Sequence, residues 1–237
     1  DKISIKPHAS PIFHAIQYLI GNLDPNYLTE LRAFHGLQAY PSRTKDPDDV
    51  HFSTGSVGFG PVAPNFASIA RSYGLAHGFS MSPGGKYISI VGDAELDEGS
   101  IWESIAEPGM SQASNIIWVV DLNRQSLDRI IPGIRVGAWK NMFEANGWNV
   151  IEAKYGKLLR EAFEQPKGEL LKIAIDQMSN EVYQRLLRVD TSVLREWLPN
   201  YSDFPEDMSS LIGLWDDHQL NTLFHNLGGH DFSTLRD

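Results

Sequence analysis

Two short runs of apolar, mostly β-branched residues stand out in the middle of the chain. They are Tyr87–Val91 and Ile116–Val120, and each run is followed within three residues by an aspartate. Between them, the apolar residues Ile101, Trp102 and Ile105 recur at helical spacing. The order strand, helix, strand is typical of parallel sheets in α/β proteins, so we predict such a unit here.

The same pattern predicts further elements before and after this unit. Lys2–Lys6 alternates like a short strand, and Trp148–Glu152 has the composition of another. Helical spacing predicts helices over residues 10–20, 28–34, 61–76, 98–107, 137–145, 157–163, 170–187 and 216–227. We therefore predict one α/β domain over residues 1–237, with a mostly parallel central sheet and helices on both faces.

Two of these helices have clear apolar faces. In the first, Ser10 is expected as the N-cap and the apolar face includes Ile12 and Leu19. In the helix over 61–76, Phe66 and Tyr73 belong to the face that we expect to be buried. The proline-bearing, charged segment 40–52 lies between these two helices and is predicted to be a surface loop.

Polar residues that follow the two central strands suit a hard cation. Asp93 comes directly after the first strand, and Asn123 follows the second, about thirty residues later. Parallel strands bring both residues to the same edge of the sheet, where open α/β sheets bind ligands. Carboxylate and amide oxygens are ligands that Mg²⁺ accepts. Both residues could instead cap turns, as Asp and Asn often do.

Composition narrows the classes of function. The chain has 237 residues, 42% of them hydrophobic, which is enough for one large core. The formal net charge of −10 disfavours nucleic-acid binding, which needs a basic surface. There is no cysteine, and no apolar run reaches the length of a membrane span. We expect a cytoplasmic protein that binds neither nucleic acid nor membranes.

The central motif resembles that of thiamine diphosphate enzymes, whose usual form is Gly-Asp-Gly followed, two dozen or more residues later, by Asn-Asn. Here Gly92-Asp93 and Asn123 supply the pattern. The segments GDAELDE, DLNRQSLD, GWNVI and NLGGHD are similar to the homodimeric pyruvate dehydrogenases, over nearly the whole chain. Two departures stand out: Ala94 replaces the last Gly of the motif, and Asp121 stands where Asn is commoner.

The resemblance implies the cofactors thiamine diphosphate and Mg²⁺, with a set of residues to hold them. Magnesium would be bound by Asp93, Asn123 and the backbone carbonyl of Gln125. The diphosphate and the aminopyrimidine would be held by residues of the strand end, of the first helix entry and of a glycine-rich segment. These cofactor-binding residues are His8, Gly55, Ser56, Val57, Gly92, Asp93, Ala94, Glu95 and Asn123.

Two histidines gain catalytic roles only through the resemblance. From spacing alone, His8 is an ordinary loop histidine, and His230 is a surface histidine after the glycine pair that ends a helix. The resemblance places His8 beside the diphosphate. It also makes His230 part of a Gly-Gly-His-Asp loop that closes over the active centre and meets a lipoyl-bearing partner.

The implied reaction is decarboxylation of a 2-oxo acid, with pyruvate as the first candidate, and transfer of the acyl group to a lipoyl-bearing acyltransferase. The family takes an activating Glu from a second, pyrimidine-binding domain across a dimer interface, and no such domain is evident in this sequence. We therefore expect a second domain or chain, a homodimeric full-length form, and an inactive isolated chain. Truncation, proteolysis and a split gene remain open explanations.

Two alternatives compete with this interpretation. A transketolase-type enzyme would share the fold and the metal motif but transfer two-carbon units, and the Gly-Gly-His-Asp segment argues against it. A non-catalytic domain could also keep the fold, and Ala94 together with the missing domain would support it.

Overall fold

The computed structural model describes residues 1–81, 84–122, 125–126, 129–130 and 133–236, without the side chains of 123–135 and 180. Within it the chain divides into two compact units, Asp1–Val150 and Ile151–Asp237, which are described separately. The expectation of a single domain over residues 1–237 stays a prediction.

The first unit is built on a three-stranded parallel sheet. Its strands are β1 (Lys2–Ile5), β2 (Tyr87–Gly92) and β3 (Ile116–Asp121), with β2 in the centre. Ile5 pairs with Ile90 and Gly92 with Asp121, so the three strands end at one edge. The predicted α/β fold and parallel sheet are confirmed. A further two-stranded antiparallel sheet consists of β4 (Gln125–Ser126) and β5 (Arg129–Ile130).

The described residues of the first unit form the α-helices α1 (Ser10–Leu19), α2 (Phe59–Ala76), α3 (Gly99–Ile105) and α4 (Gly133–Ala145). α2 packs against the sheet, where the Trp118 indole N–H donates to the Asn65 side-chain oxygen at 3.0 Å. A buried cluster joins the sheet to α3 and α4. Its members are Val91, Leu96, Ile101, Ile105, Trp139 and Phe143.

The apolar face of α1 does not point inward. Ile12 is 57% exposed and Leu19 77%, whereas His14 and Gln17 are buried. His14 Nδ1 lies 2.7 Å from Asp48 Oδ2, so a polar pair fastens α1 to the loop over 40–52. Ser10 starts the helix rather than capping it from outside.

The predicted buried face of α2 is also wrong. Phe66 is 46% exposed and Tyr73 60%, while the inner face carries the small and polar residues Gly60, Asn65 and Ser68. Asn65 donates its amide N–H to the Ser104 hydroxyl at 2.8 Å, so hydrogen bonds join α2 to α3. Periodicity identified both helices correctly but not the side that each one buries.

Among its described residues, the regular structure of the second unit is helical, with one isolated bridge between Tyr155 and Leu227. Its α-helices are α5 (Lys157–Phe163), α6 (Gly168–Gln177), α7 (Asn180–Leu186), α8 (Thr191–Trp197), α9 (Pro205–Ile212), α10 (Asp217–His225) and α11 (Phe232–Arg236). They enclose one apolar cluster with Leu159, Leu171, Leu194 and Phe224 at its centre.

Three predicted elements differ from the structure. The helix expected over 170–187 is two helices, because the Ser179 side chain accepts the Val182 N–H and caps a new start. The helix expected over 28–34 is replaced by a 3₁₀ helix at Pro25–Thr29 and a turn in which Arg32 has a positive φ. Trp148–Glu152 is irregular, with the Trp148 ring packed on Phe143 rather than the backbone in a ladder.

No helix in the described part of the chain combines the length and the apolarity needed to cross a bilayer.

Candidate functional site

The carboxyl edge of the parallel sheet carries a buried carboxylate. Asp93 directly follows β2 and is only 1% exposed. Its Oδ1 accepts the N–H of Ala94 at 2.9 Å. A buried carboxylate at this edge is placed where open α/β sheets bind ligands, and it is expensive to bury without polar or charged partners.

Ala94 fits the backbone at this position. It is the second residue of a 3₁₀ helix, Asp93–Asp97, and it does not have a positive φ, unlike Arg32, His35 and Lys167. An alanine in place of the usual glycine therefore causes no backbone strain here.

Glu95 connects the strand end to the glycine-rich segment. It is 5% exposed, and both carboxylate oxygens accept backbone N–H groups at 3.0 Å: Oε1 from Gly92 and Oε2 from Gly58. The two glycines are far apart in sequence, so this one side chain fixes the start of α2 against the end of β2. These contacts show Glu95 as a positioning group, and its predicted contact with a cofactor stays a prediction.

The glycine-rich segment is exposed to solvent. Gly55, Ser56 and Val57 are all exposed, and the segment enters α2 through Gly58, whose φ is +80°. A Cβ on Gly58 would lie 2.7 Å from Cβ of Glu98, so this position requires glycine on two grounds. Three exposed residues held beside a buried carboxylate leave room for a ligand to approach the backbone.

Tyr40 brings two predicted site residues together. Its ring packs edge-on against exposed His8, with the ring centroids 6.0 Å apart. The same ring lies 3.7 Å from the position that a Cβ on Gly55 would occupy. Sequence reasoning missed Tyr40 because it starts an irregular loop, where no periodicity distinguishes a site residue from a solvated one.

The other two metal ligands predicted from the sequence are Asn123 and Gln125. Asn123 lies outside the described residues. Gln125 lies in β4, where its backbone pairs with Ile130, and its side chain is not described. Among the residues that are described, no group of three or more His, Cys, Asp or Glu side chains could hold a metal ion. Of the predicted magnesium ligands, the structure describes the Asp93 carboxylate and the backbone of Gln125, whose strand contacts the 3₁₀ helix Asp93–Asp97. So small a ligand set is compatible with an ion that takes most of its ligands from phosphate and water.

His230 belongs to the second unit and ends a 3₁₀ helix, Gly228–His230, with its side chain exposed. The Gly-Gly-His-Asp segment is held in place by close packing before His230 and by a hydrogen bond after it. A Cβ on Gly228 would lie 2.3 Å from the Ala153 carbonyl oxygen, and the Asp231 carboxylate accepts the Lys157 N–H at 2.6 Å. The glycine pair therefore serves close packing at Gly228, while the imidazole of His230 remains accessible. Its catalytic role, like that of His8, stays a prediction.

Two solved structures with a similar fold are transketolases. A transketolase from Campylobacter jejuni superposes on 64% of this chain and 24% of its own, with a TM-score of 0.52 and 24% identity. A transketolase variant from Pichia stipitis covers 65% of this chain and 24% of its own, with a TM-score of 0.53 and 23% identity. At this identity the likeness defines the class of fold: a transketolase-like α/β domain.

The family follows from the sequence match. The description "Transketolase, thiamine diphosphate binding domain" fits residues 3–169, and the chain belongs to this family.

The curated relatives carry a more specific name. Proteins named pyruvate dehydrogenase E1 component from Cupriavidus necator and from Escherichia coli K12 are each 27% identical over 98% of this chain and 26% of their own length. The one from Mycolicibacterium smegmatis is 25% identical over 98% of this chain and 25% of its own. The resemblance to the pyruvate dehydrogenases is thus confirmed. The chain spans about a quarter of the length of these relatives.

Proposed function

We propose that this chain binds the diphosphate of thiamine diphosphate, with Mg²⁺, as one part of a 2-oxo acid dehydrogenase. The observation that carries the proposal is the buried carboxylate of Asp93 at the sheet edge, held beside an exposed glycine-rich segment by Glu95. The relatives' name, over almost the whole chain, supports pyruvate as the first substrate. Membership of a thiamine diphosphate binding family supports the cofactor.

The residues present fit such a group. When bound, thiamine diphosphate supplies a carbon nucleophile and an electron sink for decarboxylation. Asp93, Asn123 and the carbonyl of Gln125 would hold the magnesium that accompanies the diphosphate. The exposed backbone of Gly55–Val57 would orient the organic part of the cofactor, and Glu95 would keep that backbone at a fixed distance from Asp93.

The two histidines would have different roles, His8 orienting the cofactor and His230 transferring a proton. His8, held against Tyr40 beside Gly55, would lie on the cofactor side of the first unit. The exposed imidazole of His230 would act as a general acid–base during decarboxylation or during acyl transfer to a lipoyl-bearing acyltransferase. Neither role depends on burial, since both side chains are exposed.

The exposed apolar faces support the need for a second domain or chain. α1 exposes Ile12, Ile16, Leu19 and Ile20, and α2 exposes Phe66 and Tyr73. Such clustered apolar surface marks an interaction site more often than a free surface. We infer that a second, pyrimidine-binding domain covers it in a homodimeric enzyme and supplies the activating Glu, so the isolated chain should not turn over. A cytoplasmic location stays a prediction.

Two alternative functions, a transketolase-type enzyme and a non-catalytic domain, have less support. The likeness to transketolases is one of fold alone, so it does not favour two-carbon transfer over decarboxylation. The case for a non-catalytic domain rested partly on Ala94, whose backbone conformation removes that objection.

Calorimetric titration with thiamine diphosphate and Mg²⁺ tests the proposal. Wild-type chain should bind the two ligands together and each alone much more weakly, because Asp93 offers too few oxygens to hold magnesium without diphosphate. Asp93→Ala should abolish binding while the fold is retained. The matched control is Asp97→Ala, which removes an exposed carboxylate from the same 3₁₀ helix and should leave affinity unchanged. Equal affinity of Asp93→Ala and wild type would refute the site.

A further inference from the structure

One lysine crosses the whole carboxyl edge of the sheet. Lys6 directly follows β1, on one side of the sheet, and its Nζ donates to Oδ2 of Asp121, the last residue of β3 on the other side. The stem passes over the end of the central strand, because Lys6 Cδ lies 3.6 Å from the position that a Cβ on Gly92 would occupy. The lysine stem therefore passes over the strand end that leads into Asp93, and the ion pair lies at the end of β3 beside it.

The edge that Lys6 crosses is rich in negative charge. Asp93, Glu95 and Asp121 all lie at the ends of β2 and β3, and the Asp121 side chain is 52% exposed. The Glu95 carboxylate is stabilised by two backbone N–H groups, but the ion-pair partner of Asp121 is Lys6. An anionic ligand that approaches this edge would be repelled by Asp121 if its charge were not cancelled.

We propose that Lys6 is a positioning residue of the candidate cofactor site, which neutralises Asp121 so that the edge can accept a diphosphate. The inference rests on the proposed function. It also accounts for the second departure from the usual motif. Asp121 stands where asparagine is commoner. An aspartate can serve at this edge because the positive charge of Lys6, directly after β1, compensates its negative charge. Lys6 and Asp121 then act together. Removing Lys6 alone and removing Asp121 alone should change the affinity for an anion in opposite directions.

A double-mutant cycle measures the coupling between Lys6 and Asp121 in anion binding. The proteins are wild type, Lys6→Gln, Asp121→Asn and the double variant, titrated by calorimetry with thiamine diphosphate and Mg²⁺ at fixed ionic strength. Lys6→Gln should weaken binding by about tenfold, which corresponds to one uncompensated nearby charge. Asp121→Asn should bind at least as tightly as wild type. The double variant should return to within about threefold of wild type, because both charges are gone.

The matched control is Lys86→Gln. Lys86 precedes β2 at the opposite edge of the same sheet and donates to the Ser114 carbonyl at 3.1 Å. Its loss changes the net charge equally but should leave affinity unchanged. Thermal unfolding without ligand checks that each variant folds.

Three results would overturn the inference. Equal weakening in Lys6→Gln and in the double variant would make Lys6 a direct ligand of the anion rather than a partner of Asp121. Unchanged affinity in all variants would remove any role for the pair. Equal weakening by Lys86→Gln would reduce the effect to net charge.

Inorganic diphosphate with Mg²⁺, as a second probe, separates this inference from the proposed function. If wild type binds inorganic diphosphate but not thiamine diphosphate, the proposed function fails, and the cycle with inorganic diphosphate still decides the role of Lys6. If wild type binds neither, both fail.

Discussion

Two helices of the first unit, α1 and α2, orient their apolar faces in the opposite way to the helices of the second unit. In the second unit, the apolar faces meet inside, and Leu159, Leu171 and Phe224 are all fully buried. In the first, α1 turns Leu19 outward and buries His14 against Asp48. The second unit fills its interior with apolar contacts. The first uses the His14–Asp48 hydrogen bond, although His14 Nε2 and Asp48 Oδ1 have no hydrogen-bond partner among the described residues.

This difference shows that the sequence of a helix does not by itself determine which of its faces is buried. The second unit encloses a large apolar cluster, although Phe204, Leu214 and Phe232 are exposed at its surface, so its stability should depend on packing. The first leaves apolar surface on two helices and keeps polar contacts inside, as expected of a part that is completed by another polypeptide surface. Substitutions at matched positions in the two units can therefore break or confirm the comparison.

The largest effect should come from Phe224→Ala. Phe224 is fully buried, and its ring lies 5.0 Å from that of Tyr183, so truncation leaves a cavity in the second unit. We expect a loss of about 3–5 kcal/mol in the free energy of unfolding. Phe66→Ala on α2 deletes the same side chain from a half-exposed site and should cost much less. Urea unfolding followed by hydrogen exchange of peptides from each unit measures both. Equal losses would contradict the contrast between the two units.

A smaller effect concerns the acid stability of the second unit. The Lys157 N–H and the Thr234 hydroxyl hold the pKa of the Asp231 carboxyl below its ordinary value. Because the pKa is lower in the folded state, Asp231 contributes stability above the unfolded pKa of about 4, and this is lost as the pH falls through the folded pKa. Wild type should therefore exceed Asp231→Asn in thermal midpoint near neutral pH, and the difference should vanish in acid.

The control for this titration is Asp203→Asn, which removes a carboxylate from an exposed part of the same unit. A difference between wild type and Asp231→Asn that stays constant from neutral pH to pH 3 would show that Asp231 acts through packing rather than through its charge.

Much of the fold was predictable because its signals are local. The strands around Tyr87–Val91 and Ile116–Val120, and the helix over 157–163, follow from short-range periodicity and lie within one residue of their predicted bounds. Asp93 was predictable for the same reason, since its place at a strand end needs only the strand. The fold and the family resemblance were confirmed on this basis.

What sequence reasoning missed depends on contacts between distant residues. His14 and Asp48 are 34 residues apart, and nothing in the pattern of either segment shows that they pair. The same holds for Tyr40 beside His8, and for the Lys6–Asp121 pair across the sheet edge. Which face of a helix is buried was equally unpredictable, because it depends on the surface that the helix meets.

The smallest effect on stability should come from the most exposed position of α1. Leu19 is 77% exposed, so Leu19→Glu should change the free energy of unfolding by less than about 0.5 kcal/mol. It should nevertheless weaken association of the chain with itself or with the second domain, since a charge would then have to be buried in the interface. Sedimentation over a range of concentrations measures the association.

Gln17→Glu is the matched control, because it places the same charge on the buried side of the same helix, near Asp48 and Asp49. That variant should lose roughly 1–3 kcal/mol of stability. A larger loss for Leu19→Glu than for Gln17→Glu would mean that α1 buries its apolar face after all, and the contrast between the two units would disappear.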